Sequence, residues 1–117
     1  MRLSGIIKKG WGYEDIFVTN DMYCGKFLHF KEGAKFSMHF HAKKHETWRI
    51  VSGEFVVEWI NKENAKVYSE LLYPGSIWVN EPLKPHRLIC RKEGSVLEIS
   101  TEDSVEDNYR VMPGDSQ

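Results

Sequence analysis

No stretch of this chain is apolar enough, for long enough, to cross a bilayer as a helix, and its opening residues, MRLSGIIKKGWGYED, hold no signal-peptide core. A cytoplasmic protein is expected. Cysteine is scarce: Cys24 and Cys90 make neither a metal-type pair nor a disulfide framework, so they read as small buried thiols in a reducing compartment. An excess of charge of one sign is also missing. With 16 Lys+Arg against 17 Asp+Glu, broad electrostatic capture of nucleic acid or of an anionic membrane is disfavoured. No basic stripe or helix-turn-helix segment is visible, and the expected partner is a small molecule. Linkers, repeats and sustained helical periodicity are absent too. The 117 residues suit one domain, 1–117, with a core over about 15–101 and a C-terminal segment over 102–117.

What the chain does contain is short runs of β-branched and aromatic residues. They are Asp15–Thr19, Met22–Lys31, Phe36–His41, Glu46–Val51, Glu54–Ile60, Lys66–Leu72, Ser76–Val79, His86–Lys92 and Val96–Ser100. Between them lie turn formers: Asn20-Asp21, Glu32-Gly33, Ser52-Gly53, Asn61 to Asn64, Pro74-Gly75 and Glu93-Gly94. Many short strands in a small chain predict an all-β double-sheet jelly roll. Lys8-Lys9-Gly10 reads as a loop and Met112–Gln117 as a loose tail. Phe55, Val57 and Trp59 alternate with Val56, Glu58 and Ile60, so both faces of that strand are largely apolar. One face lines the barrel; the other needs cover, either from a second subunit in a homodimer or from the N-terminal segment.

Chemistry concentrates between Gly33 and Gly53. On a strand, His39 and His41 point to one side while Met38 and Phe40 point to the other. Glu46 opens the next strand and can place a carboxylate beside the two imidazoles, and His86 opens a later strand and can close the set. Three imidazoles and one carboxylate suit a single divalent transition metal ion, Zn, Mn, Fe, Ni or Co, and leave positions open for substrate oxygens. Calcium would want more oxygens. His45 reads as a solvated loop residue. His29 shares a face with Tyr23, Gly25 and Phe27, and becomes interesting only if that face looks inward.

The spacing G-x5-H-x-H-x4-E-x6-G, from Gly33 to Gly53, resembles the first motif of the cupins, and this resemblance implies a cupin barrel. A second cupin-like motif starts at Gly75 and runs through Pro82, Pro85 and His86. Its usual interior glycine is replaced around Leu83-Lys84, its proline-to-histidine spacing is one residue short, and Cys90 stands at the usual terminal asparagine.

Beyond the motifs, the chain resembles the small cupins related to type II mannose-6-phosphate isomerases. The resemblance is carried by Lys9 to Glu14, by Tyr23-Cys-Gly-Lys26 running to Gly33, by His45-Glu46-Thr-Trp48, and by the ending from Glu98 through Glu102, Asp103 and Glu106 to Arg110. The longer isomerases commonly carry glutamine at the position of His39, and a glycine between the tyrosine and arginine that is missing here.

This likeness implies a sugar or sugar-phosphate ligand and aldose–ketose isomerisation or epimerisation through an enediolate. Such chemistry needs a base, for which Glu98 and Lys26 are the candidates; for Glu98 a solvent-facing strand position is the alternative. Arg110 is the candidate for a substrate anion, whereas Arg87 and Lys84 read more readily as surface charge. Trp48 shares the face of Glu46 and could floor a sugar site or simply fill the core. Two other functions compete: an Fe-dependent dioxygenase- or lyase-type cupin, and a non-catalytic sugar-binding module.

Overall fold

The segments rich in β-branched and aromatic residues are the ones that pair. The computed structural model describes residues 4–101 and 106–112, and these contain strands and turns but no helix. The strands are β1 (Gly5–Lys9), β2 (Gly12–Thr19), β3 (Tyr23–Phe30), β4 (Met38–Phe40), β5 (Glu46–Ile50), β6 (Glu54–Ile60), β7 (Val67–Leu72), β8 (Ile77–Asn80), β9 (His86–Lys92), β10 (Gly94–Thr101) and β11 (Tyr109–Met112). They form two antiparallel sheets, one ordered β1-β2-β3-β10-β5-β8 and the other β11-β4-β9-β6-β7. The expected all-β jelly roll is what the chain adopts.

Two elements differ from the sequence reading. Lys8 and Lys9 are not in a loop: they lie on β1, opposite Tyr13 and Gly12, and only Gly10 and Trp11 make the reversal. The lysines suit an edge strand, where alternate side chains reach water and discourage further pairing. At the other end, Met112 is no loose tail, because β11 pairs with β4 and sets Met112 opposite Met38. Residues 113–117, also expected to be loose, lie outside the described residues, as do Glu102 and Asp103.

The two glycines that bracket the first motif have a backbone reason. Gly33 and Gly53 both sit at φ +83°, in the left-handed region that side chains disfavour. A Cβ on Gly53 would also lie 2.5 Å from the carbonyl oxygen of Lys92. These turns feed β4 and β6, so they aim the strands that carry and flank the histidines.

Inward-facing residues fill the barrel unevenly. At one end Trp11, Phe30, Phe36, Ile50, Phe55, Val57, Leu88 and Val96 form a continuous apolar cluster. Trp11 stacks on Phe30 at 4.4 Å between ring centroids, and Phe55 meets Phe30 edge to face at 5.3 Å. Each such buried side chain stabilises the fold by roughly 1.5–3 kcal/mol relative to exposure. Cys24 and Cys90 are buried thiols, as expected, and burial pushes the Cys90 thiol up to about 11, which leaves it inert.

Outer surfaces carry a second correction. Among the described residues the N-terminal segment does not cover the outer side of β6: β1 and β2 extend the opposite sheet instead. On β6 itself Val56, Glu58 and Ile60 are half-buried, and Glu58 accepts a 2.6 Å hydrogen bond from Arg87 Nε. Arg87 is thus an outward-facing structural residue, as its strand position predicted. The larger exposed apolar surface is on the six-stranded sheet, at Phe17, Phe27, Ile77, Val79 and Ile99.

Candidate metal centre and its buried charge network

Toward the other end of the barrel the inward rows turn polar. On β9 the series Cys90, Leu88, His86 passes from apolar to ionisable; on β5 the series Ile50, Trp48, Glu46 does the same. The register brings them together, since His39 on β4 pairs directly with His86 on β9. One ring nitrogen from each of His39, His41 and His86 lies within 4.8 Å of the others, and all three residues are buried. Such a group can hold a metal ion.

The tautomers are set by the backbone. His39 Nδ1 donates to the Ser37 carbonyl at 2.7 Å, His86 Nδ1 donates to the Lys84 carbonyl at 2.9 Å, and His41 Nδ1 donates to the Asp107 carbonyl. A carbonyl only accepts, so each Nδ1 carries a hydrogen and each ring turns its Nε2 to the cluster. Burial, and then the neighbouring His86 and His41, lower His39 to about 3. Burial likewise lowers His41, against the pull of Glu46. Neutral imidazoles are the ligand form.

Glu46 stands beside them. Its Oε1 lies 2.9 Å from His86 Nε2, accepts 3.2 Å from Asn80 Nδ2, and its Oε2 is 3.3 Å from Lys44 Nζ. Burial alone would raise this carboxyl, but Lys44 and then His86 hold it well below the usual carboxylate range. His86 Nε2 and Glu46 Oε2 are both buried without a hydrogen-bond partner. A proton on His86 Nε2 or a cation shared with Glu46 joins the two atoms, and either satisfies the buried carboxylate. Two ligands about 2.1 Å from one ion and at right angles would be about 3.0 Å apart, so the observed spacing fits shared coordination.

The expected base candidates converge on the same interior. Glu98 does not face solvent: it is 3% exposed, with Oε1 accepting from Trp48 Nε1 at 3.0 Å and Oε2 from Lys44 Nζ at 2.9 Å. Lys26, opposite Glu98 in the β3–β10 ladder, lies 3.6 Å from Glu98 Oε2 and donates to Glu14 Oε1 at 3.0 Å. A chain of alternating charge thus runs Glu14, Lys26, Glu98, Lys44, Glu46 to the histidines. Lys44 was not foreseen. It sits in a Lys-Lys loop that reads as solvated, yet it is 4% exposed.

Of the two readings of Trp48, its packing fits core filling: at 1% exposure its indole is buried, and its N–H holds Glu98. Arg110 is exposed on β11, directly opposite His39, and so shares the histidine's face of the sheet. His45 is exposed, and His29 faces outward, stacked on Tyr13 at 5.1 Å and bonded to Ser95 Oγ at 2.9 Å. Both stay outside the site.

Two further residues escaped the sequence reading. Asp107 accepts from the backbone N–H groups of Ala42, Lys43 and Lys44 at 2.8, 3.1 and 3.1 Å, while its own carbonyl holds His41. Burial works to raise its carboxyl, and these three donors outweigh that and lower it. Leu83 takes φ +67° at the place where the motif glycine is missing, and its N–H donates to the His41 carbonyl at 2.7 Å. The sequence departure therefore falls on a strained left-handed position.

Neither a family model nor a curated protein sequence matches this chain. Solved structures do. A variant of Bacillus subtilis oxalate decarboxylase superposes with TM-score 0.75 at 15% identity, covering 94% of this chain and 29% of that one. The capsular polysaccharide assembling protein CapF from Staphylococcus aureus gives 0.78 at 14%, covering 96% and 33%. KdgF from a Halomonas species gives 0.69 at 18%, covering 80% and 81%. The chain has the cupin fold. The chain spans about a third or less of the oxalate decarboxylase and CapF chains and most of KdgF. Among its described residues no helix is long and apolar enough to cross a membrane.

Proposed function

We propose that this chain is a cytoplasmic, single-domain cupin that binds one divalent transition metal ion through His39, His41, Glu46 and His86. Its substrate is a sugar or sugar phosphate, and its reaction is aldose–ketose isomerisation or epimerisation through an enediolate. The observation that carries the metal assignment is the convergence of one ring nitrogen from each of His39, His41 and His86 within 4.8 Å, with Glu46 Oε1 2.9 Å from His86 Nε2. The carbohydrate assignment rests on the sequence resemblance, and the likeness in fold to a polysaccharide-assembling protein is compatible with it.

The ion, when bound, would polarise substrate oxygens and acidify the proton α to the carbonyl. The chain's own residues do the rest. Glu98 and Lys44 form the proton-handling pair nearest the ligands, since Lys44 Nζ bridges Glu98 Oε2 and Glu46 Oε2. Lys26 backs Glu98 from the far side and keeps its charge compensated. Arg110, at the rim opposite His39, supplies a fork for a phosphate or carboxylate. The exposed apolar face of the six-stranded sheet, around Phe17, Phe27 and Ile99, is the surface for a homodimer.

A panel of aldoses, ketoses and their phosphates, incubated with metal-loaded protein in deuterated water, tests this reading. Deuterium at C2 is expected for at least one sugar, and its rate should fall in Glu98→Gln and in Lys44→Met. Oxygen uptake by iron-loaded protein without C2 exchange would overturn it in favour of a dioxygenase. Tight sugar binding without exchange would reduce it to a binding module.

A further inference from the structure

The cross-strand register carries the histidine row past the candidate metal centre. Arg110, His39, His86, Trp59 and Tyr68 are successive partners across β11, β4, β9, β6 and β7, and directly opposed residues share a face. On β6 the inward residues Phe55 and Val57 are fully buried, whereas Trp59 on the same face is half-buried and its neighbour Tyr68 is 39% exposed. Inward-facing side chains that water reaches mark an opening. From the other sheet Trp78 closes on it, its ring centroid 4.8 Å from that of Trp59, which lies 5.7 Å from that of Tyr68. Because β7 and β8 are edge strands of different sheets, the seam between them is closed by these side chains and not by a ladder.

Polar groups border the aromatic wall. Asn64 Nδ2 donates to the Tyr68 hydroxyl at 2.8 Å, and Lys84 Nζ lies 5.1 Å from the Trp78 ring centre. Trp78 Nε1 donates to Asn80 Oδ1 at 2.9 Å, and Asn80 in turn donates to Glu46, so the wall is tied to a proposed metal ligand. Aromatic surface beside hydrogen-bonding groups is what a pyranose needs: its C–H face stacks on the rings and its hydroxyls take the polar rim.

We infer that the Trp59–Tyr68–Trp78 seam is a sugar-ring subsite, stacking a pyranose whose oxygens reach toward the histidine cluster. This rests on the carbohydrate reading above and says where the ring lies. A wall that merely closes the seam is the rival account, and the two differ in what a substitution changes.

The test compares a pyranose, methyl α-D-glucopyranoside, with the acyclic polyol D-sorbitol, by calorimetric titration and tryptophan fluorescence on metal-loaded protein. Tyr68 is the residue to change, being exposed on an edge strand; Tyr68→Phe restores the ring. The pyranoside is expected to alter tryptophan emission and to bind roughly two- to tenfold more weakly to Tyr68→Leu. Sorbitol should be indifferent to the substitution, and Tyr68→Phe should recover most of the pyranoside affinity. Equal pyranoside binding by wild type and Tyr68→Leu, with emission unchanged, overturns the subsite while leaving the carbohydrate reading intact. Absence of binding by either probe sinks both. Pyranoside binding that persists in metal-free His86→Leu and disappears in Tyr68→Leu supports the subsite while removing the metal from sugar recognition.

Discussion

The two ends of this barrel are built from the same strands and do opposite work. Phe55, Leu88, Ile50 and Val96 at one end are almost completely buried and make an ordinary close-packed core. One or two inward steps further along those strands stand Trp59, His86, Glu46 and Glu98, where the barrel interior holds three carboxylates and two lysines counting Glu14, Glu46, Glu98, Lys26 and Lys44. The apolar end contributes stability. The polar end holds orphaned acceptors and compensated charges that an apolar filling would replace at no loss of fold, which is the usual mark of a site kept for function.

Breaking that contrast begins with the apolar end. Phe55→Ala is expected to cost about 3–5 kcal/mol in chemical denaturation while leaving the metal affinity of the molecules that remain folded unchanged. A change in metal Kd larger than its stability effect would show that the two ends are not separable.

His86→Leu attacks the other end. It should weaken zinc or cobalt binding by at least about a hundredfold, yet leave the metal-free protein as stable as wild type or more so. A marked fall in metal-free stability would make His86 a structural residue.

Acid separates the ends by a different lever. The folded protein holds His39 near 3 and His41 below its ordinary value, so the unfolded chain binds more protons. Stability of the metal-free protein is therefore complete above about pH 6.5 and declines as pH falls from there toward 3. Glu46 and Asp107, both lowered, add to the loss below about pH 4.5. His39→Leu should flatten the upper part of that decline in a pH series of thermal melts; an unchanged profile would contradict the assignment.

Smaller effects sharpen the picture of how the ligands are held. Asp107→Ala frees the 42–44 loop, and is expected to weaken metal binding roughly tenfold through His41 and to cost about 1 kcal/mol of stability. Leu83→Gly relieves the left-handed backbone beside His86, and should leave stability within about 1 kcal/mol of wild type, because unfolded-state entropy offsets the relieved strain. A larger loss would mean that the Leu83 side chain matters for packing.

Much of this was legible in the residues themselves. The strand segments follow from β-branched and aromatic runs between turn formers, and the shared face of His39 and His41 follows from period-two alternation, whereas His86 joined the set through the resemblance to the second cupin motif. Other features were not. Lys44 sits beside another lysine in the 41–45 loop, and no local pattern distinguishes a lysine that folds inward to meet Glu98 and Glu46 from one that stays in water. Trp48 and Trp59 are both strand tryptophans on inward faces; only their distance from the barrel opening makes one a core residue and the other part of an accessible wall. β1 and β11 were missed because edge strands alternate weakly and carry charge.

By itself, then, the sequence determined which residues alternate toward an interior, where the chain must reverse, and which side chains can bind a cation, because those are properties of neighbours along the backbone. Only the tertiary structure decided which interior positions are sealed and which are open, and which charges meet. Cross-strand register and sheet edges, not local spacing, bring residues such as Lys44 and Glu98 together from 54 positions apart.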